Sequence, residues 1–359
     1  MRIRVLAVAV ALGVAVGCSS PDGGPSRQGE GSGGPPHVSG STGHPGEPGE
    51  RGRPMDGGER SGHEGPYWVN PHSGAAAQAR DWERAGRAED ARLIRRISEQ
   101  PVAEWLGDDP DGARRQAETI TSAASREGRR ALFVAYNIPH RDCGRYSTGG
   151  APDGAAYQRW IDAVVQGLGD RAATVVLEPD AVPHLVDGCT PPELHQERYD
   201  LLSYAVRRLT ELPGTTVYLD AGNATWIKNV GALADALRRA GIGQADGFAL
   251  NVANFQTTEA SREFGHQLSG ALGGARFVID TSRNGKGPME GGGGRREDWC
   301  NPPGRALGRP PTTDTGDPLV DAYLWIKQPG DSDGECRGGP PAGQWWPDYA
   351  LTLARNAEQ

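Results

Sequence analysis

Several chemistries are excluded by what the chain does not carry. No GxxxxGK[ST] run occurs in its 359 residues, and the literal GxGxxG match, Gly29–Gly34, sits in a Gly/Pro/Ser-rich segment with no strand before it or helix after it, so the glycine-rich cradles of nucleotide folds are missing. Its 5 cysteines include no CxxC pair and no clustered His-Cys spacing, which removes the usual zinc signature. The formal net charge is −8 and the basic residues are dispersed, which argues against nucleic acid as a partner. The apolar run Val5–Val16 is too short to span a bilayer. No metal and no cofactor are expected.

What is present divides the chain. Residues 1–18 read as an export signal: Arg2 and Arg4 give a basic start, and Val5–Val16 supplies the apolar stretch. Ala15-Val16-Gly17-Cys18 resembles a bacterial lipobox, with Ala15 where Leu is usual, in which cleavage leaves Cys18 lipidated. Ordinary signal cleavage nearby is the alternative. Residues 19–65 are Gly, Pro, Ser and charge, with only Val38 and Met55 aliphatic. Such a segment cannot bury enough apolar surface to offset its ordering entropy, and reads as a disordered linker. Its collagen-like triplets between Gly43 and Pro54 are too few for a triple helix. Residues 66–359 show no second boundary and read as a single catalytic domain.

In that domain, apolar β-branched runs alternate with helical stretches. Strands are predicted at 131–136, 173–177, 215–219, 246–250, 275–279 and 322–327, with a weaker first strand at 102–106. Helices are predicted at Asp81–Glu99, Gly112–Arg126, Ala155–Leu168, Glu193–Glu211, Asn229–Ala240 and Thr258–Leu272. Continuous apolarity implies strands buried on both faces, and the alternation implies a parallel sheet. Polar residues follow every strand, among them Asn137, Glu178, Asp220, Asn251, Asp280 and Lys327. A β/α barrel puts its chemistry at all these carboxyl ends, whereas a doubly wound sheet gathers it at one switch point. The barrel is the favoured reading.

Carboxylates set past successive strands build an acidic cleft, suited to acid/base work on glycosidic bonds. Asp180 is the acid candidate, since burial and nearby carboxylates would raise its pKa and keep it protonated. Its alternative is a helix cap. Asp333, on a glycine-rich loop, is the base candidate, and its alternative is a plain turn residue. Asp142 could tune Asp180 or pair with Arg141 or Arg145. Asp220 could bind substrate, tune a pKa, or form an Asx turn before Gly222. Aromatics are only 6% of the chain, yet 9 of them are Trp, a skew towards flat indole surfaces. Trp105, Trp226, Trp299 and Trp325 lie near strand ends, where they could stack on sugars or fill the core. Beyond Cys18, four cysteines remain, and two disulfides in an oxidising compartment fit them in any of three pairings.

The segments YNIPHRDCG, VVLEPDAVPHL, VYLDAG, VIDTSRNGKGP, WCNPPGRALG and TTDTGDPLVDAYLWIKQPGDSDGEC together resemble glycoside hydrolase family 6, the cellulases, from about Tyr67 to Ala357. The resemblance implies a distorted seven-stranded β/α barrel that cleaves β-1,4-glucan with inversion. It implies that Asp180 is the proton donor, Asp142 the carboxylate supporting it, and Asp333 the proposed base. It further implies that Tyr136 lies near the distorted sugar, that Trp105, Trp226, Trp299, Lys327 and Asp331 bind sugar, and that Asp220 is a further cleft carboxylate. Asn254 is carried as a sugar contact at a strand end. The family's two bridges fall on Cys143–Cys189 and Cys300–Cys336. Asn223 departs from the pattern, standing where His usually follows the DAG motif; it can bond a hydroxyl but cannot become cationic. The Met289–Asp298 stretch also looks longer and richer in glycine.

The resulting expectation is an inverting endo-β-1,4-glucanase, because the segments Cys143–Tyr157 and Asp333–Trp345 are short and should leave the cleft open. An exo-acting cellobiohydrolase is the alternative within the family. A non-hydrolytic glucan-binding protein is the alternative of another class, disfavoured because Asp180 and Asp333 are both present. The expected setting is extracellular, as a monomer whose only membrane contact is a lipid on Cys18.

Overall fold

The computed structural model describes residues 65–289 and 298–357. The signal segment with Cys18, the linker apart from its last residue, and residues 290–297 of the glycine-rich stretch lie outside the described residues.

Seven strands form one parallel sheet whose spatial order is the chain order. They are β1 (Glu104–Trp105), β2 (Ala131–Ala135), β3 (Ala173–Leu177), β4 (Thr215–Asp220), β5 (Gly247–Leu250), β6 (Arg276–Asp280) and β7 (Val320–Leu324). The sheet curls until its ends meet. Val102 bridges Trp325 in parallel, and the Ala103 amide donates to the Trp325 carbonyl at 2.9 Å. The result is a distorted seven-stranded β/α barrel, laddered between neighbours and held at the seam by that bridge.

Before the sheet come α1 (Gly74–Arg84) and α2 (Ala88–Ser98). Between strands run α3 (Pro110–Arg126), α4 (Gly154–Leu168), α5 (Pro183–Val186), α6 (His195–Thr210), α7 (Val230–Arg239) and α8 (Thr258–Ala271). After β7 comes α9 (Pro347–Asn356). Asp109, Asp153, Asn229 and Thr257 cap α3, α4, α7 and α8, each accepting a first-turn amide with its side chain.

The strands alternate between two apolar environments. Leu132 and Val134 join Val176, Tyr218, Val278 and Leu324 inside the barrel. Phe133 and Ala135 instead join Val175, Val217 and Phe248 under the helices. Both families are buried, which is why the strands read as continuously apolar.

Three expectations are corrected. The single helix over Asp81–Glu99 is two helices, broken at Gly86, whose φ of +77° no helix continues. α9 was not anticipated; Pro347 opens it, tolerated where the amide has no helical partner. The last strand runs over 320–324 rather than 322–327, because Ile326 and Lys327 give their amides to the Asp280 carboxylate.

Candidate active site

A cleft of about 1120 Å³ opens over the carboxyl ends of the strands. Asp142, Asp180, Asp331 and Asp333 line it, together with Tyr136, Asn223, Asn254 and Lys327. Trp105, Trp226 and Trp299 are in its wall, whereas Trp325 is 1% exposed and belongs to the core. Asp220 is not a wall residue; it lies behind Asp180. The chain turns sharply as it leaves the strands. Asp142, Glu178, Asp180, Asn251 and Ala253 all have φ between 49° and 69°. A left-handed non-glycine residue costs on the order of 1–3 kcal/mol and persists only where its surroundings enforce it.

On the wall formed after β2, β3 and β4, burial raises the pKa of each carboxyl. Asp180 is half-buried and its pKa is raised well above the carboxylate range, first by desolvation and then by the negative charges of Asp220 and Asp142. Its amide donates to Asp220 Oδ2 at 2.8 Å, which locks the two groups together. Asp220 is pushed up to about 7 by burial, against the pull of three backbone amides. Its Oδ1 is buried without a partner among the described residues. Asp142 is also raised by burial, while Oδ2 accepts the Ser147 amide at 2.6 Å. Arg141 does not pair with Asp142; it bonds Asp108 at 2.9 Å and lies over the Tyr136 ring. Behind this wall, Glu178 is pushed up to about 7 by burial while its carboxyl accepts the Asn137 and Ile138 amides.

On the wall formed after β6 and β7 the sign reverses. Asp333 is buried, yet its carboxyl lies below the usual range because Arg283 and Lys327 outweigh the cost of desolvation. Arg283, fully buried, donates from Nη1 to Asp333 Oδ2 at 2.8 Å, and Lys327 Nζ lies 3.5 Å from Oδ1. Asn301 completes the hold. Its amide donates to Asp333 Oδ2 at 3.0 Å, and its Oδ1 accepts the Asp333 amide at 2.8 Å. Asp331, beside this group, is pushed up to about 6 by burial. Arg283 and Asn301 were not among the predicted site residues. Arg283 lies within the VIDTSRNGKGP segment, but nothing local says that it meets a carboxylate 50 positions away.

The remaining wall is aromatic and amide-rich. Trp105 packs edge-on to Tyr136 at 5.6 Å, and Trp226 lies edge-on to His184 at 5.1 Å. Trp226 Nε1 is anchored on Asp187 at 2.8 Å. Asn223 builds an Asx turn: its Oδ1 accepts from the Thr225 amide and hydroxyl and from the Trp226 amide. Its side chain thus sets the tryptophan that follows. Both bridges are formed, Cys143–Cys189 with Cα atoms 6.1 Å apart and Cys300–Cys336 with 6.3 Å. Each pins a loop that carries a cleft carboxylate, Asp142 or Asp333.

Fold and site define a β/α-barrel protein with an acidic cleft, in which one carboxyl has its pKa raised and another has it lowered. The chain belongs to the glycosyl hydrolases family 6, whose family model matches residues 63–357. Endoglucanase A of Cellulomonas fimi is 44% identical over 280 residues, covering 77% of this chain and 59% of that protein. Endoglucanase A of Thermobispora bispora is 39% identical over 302 residues, covering 82% and 63%. The chain thus spans about three fifths of the length of these two curated relatives. A solved endoglucanase from Mycobacterium tuberculosis, in complex with a methyl-cellobiosyl thio-cellobioside, superposes with a TM-score of 0.76. It is 43% identical, with coverage of 82% of this chain and 98% of that one.

Proposed function

We propose that this protein is an inverting endo-β-1,4-glucanase acting on internal bonds of cellulose or a related glucan. The observation that carries this reading is the opposite poise of two cleft carboxyls, Asp180 held up and Asp333 held down. Asp180 protonates the leaving oxygen. A water on the other face of the sugar attacks the anomeric carbon and gives up its proton towards Asp333, which also opposes the positive charge developing on the ring. Asp142 and Asp220 act on Asp180, keeping its proton in place. Trp105, Tyr136, Trp226 and Trp299 offer faces and edges to the pyranose rings. Asn223, Asn254, Lys327 and Asp331 offer hydrogen bonds to their hydroxyls. The names of the relatives support the endo mode.

The test is viscosity of soluble carboxymethylcellulose plotted against reducing ends. A steep early fall with few ends formed is the expected result, and cellobiose release at nearly constant viscosity would establish an exo mode instead. Proton NMR of the first product should show the α anomer; an initial β anomer would overturn inversion. We also place the mature protein outside the cell as a monomer, tethered through lipid on Cys18. The two bridges, which call for an oxidising compartment, support the extracellular setting. Loss of incorporated radiolabelled fatty acid in Cys18→Ala is the check on the tether.

A further inference from the structure

Asp280 ends β6, is 1% exposed and does not line the cleft. Its carboxylate is nevertheless the junction of three strand-end loops. Oδ1 accepts the amides of Ser282 at 2.9 Å and Ile326 at 3.3 Å. Oδ2 accepts those of Ala253 and Lys327, both at 3.0 Å. These donors follow β5, β6 and β7, and each loop delivers part of the setting of Asp333. The Ala253 carbonyl accepts Arg283 Nη2 at 2.6 Å. Arg283 follows Ser282 directly and bonds Asp333 at 2.8 Å. Lys327 approaches the other oxygen of Asp333 and donates to the Ser332 carbonyl at 3.2 Å.

We propose that Asp280 is a positioning residue, whose carboxylate fixes Arg283 and Lys327 about Asp333 by gathering the backbones that carry them. The inference rests on the reading of Asp333 as the water-activating carboxylate. The ionised carboxyl suits this junction, since all four partners donate and their hydrogen bonds oppose the rise in pKa that burial imposes. An asparagine offers one acceptor oxygen, and its NH2 would face amides that can only donate. Buried donors left unpaired are destabilising, so the loops would shift to find other partners. The charged and titratable groups around Asp280 are Asp220 behind β4, Arg283 and Lys327. Those around Asp333 are Arg283, Lys327, Asp331, and Tyr349 of α9. When the two cations retreat, Asp333 is less strongly held in its ionised form.

The experiment compares kcat, KM and the pH profile of the full chain with Asp280→Asn on a soluble cello-oligosaccharide. A misplacement of this kind costs about 10²-fold in kcat, and KM rises as well because Lys327 also lines the cleft. The acid limb of kcat/KM moves to higher pH, while the basic limb, set by Asp180, moves less. If Asp280→Asn does not accumulate folded, Asp280→Glu serves; it keeps the charge but displaces it by one methylene, and gives the same direction with a smaller loss. A lowered Tm with an unmoved acid limb overturns the positioning role. Retained activity in Asp333→Asn would instead remove the reading of Asp333 itself.

Discussion

On the β3–β4 wall, Asp180 faces Asp220 and Asp142, and its pKa is raised. On the β6–β7 wall, Asp333 faces Arg283 and Lys327, and its pKa is lowered. Both are aspartates at the mouth of one barrel, in contact with the same cleft. Burial pushes both upward, so burial does not distinguish them. The difference is the sign of the nearest charges, two carboxyls for one and two cations for the other. One residue type can thus be given opposite pKa shifts by choosing its neighbours, as the proposed acid and base roles require.

The comparison breaks most directly at Asp180. Asp180→Ala should lower kcat/KM on cellulose by about 10³-fold, yet cost far less on an aryl cellobioside whose leaving group needs no proton. Equal losses on the two substrates would show that Asp180 is not the acid.

Arg283→Met attacks the other wall. Removing one partner of a buried pair costs about 3–5 kcal/mol, readable as a lowered urea midpoint at neutral pH. The folded Asp333 carboxyl lies below its unfolded value, so its stabilisation is present above the ordinary carboxylate range. It is lost as pH falls through the folded value, so wild type and variant should converge in strong acid. A gap that persists there would mean that Arg283 stabilises by packing alone.

The bridges offer a wall-by-wall test. Cys143–Cys189 and Cys300–Cys336 span 46 and 36 positions, and the chain-entropy model assigns each about 4 kcal/mol. Removing the second with paired serines should disturb the acid limb, because it frees the Asp333 loop. Removing the first should disturb the basic limb through Asp142. The opposite assignment of limbs would undo the comparison.

Asp220→Asn sharpens it with a smaller effect. Losing a negative neighbour lowers the Asp180 pKa, so the basic limb of kcat/KM should move to lower pH. The smallest effect concerns Glu178, whose folded pKa of about 7 lies above its unfolded value. The native state then holds the extra proton between about pH 4 and 7, so this stabilisation is complete below the unfolded pKa and is lost as pH rises through about 7. Glu178→Gln should flatten the fall in Tm across that window.

Much of this was legible in local sequence. The strand runs could be placed within a few residues, because an apolar stretch of that length has few other uses and its two faces meet two cores. Asp142, Asp180 and Asp333 could be named because a barrel gathers its chemistry at the strand ends, but Asp220 and Asp280, which also end strands, lie behind the cleft. The true bounds of the first two helices were hidden, since the amphipathic pattern runs through the break at Gly86. Trp325 could not be told from the cleft tryptophans by position along the chain; burial alone separates them.

By itself, then, the sequence determined the order of the elements, the family and the roster of carboxylates, all of which depend on neighbours along the chain. Only the tertiary structure supplied the charges that shift Asp180 and Asp333 in opposite directions. That depends on neighbours across the barrel: Asp180 meets Asp220 from 40 positions away, Asp333 meets Arg283 from 50, and Asp280 gathers Lys327 from 47. Charges act through space over a few ångströms, and the curl of the sheet sets which of them come that close.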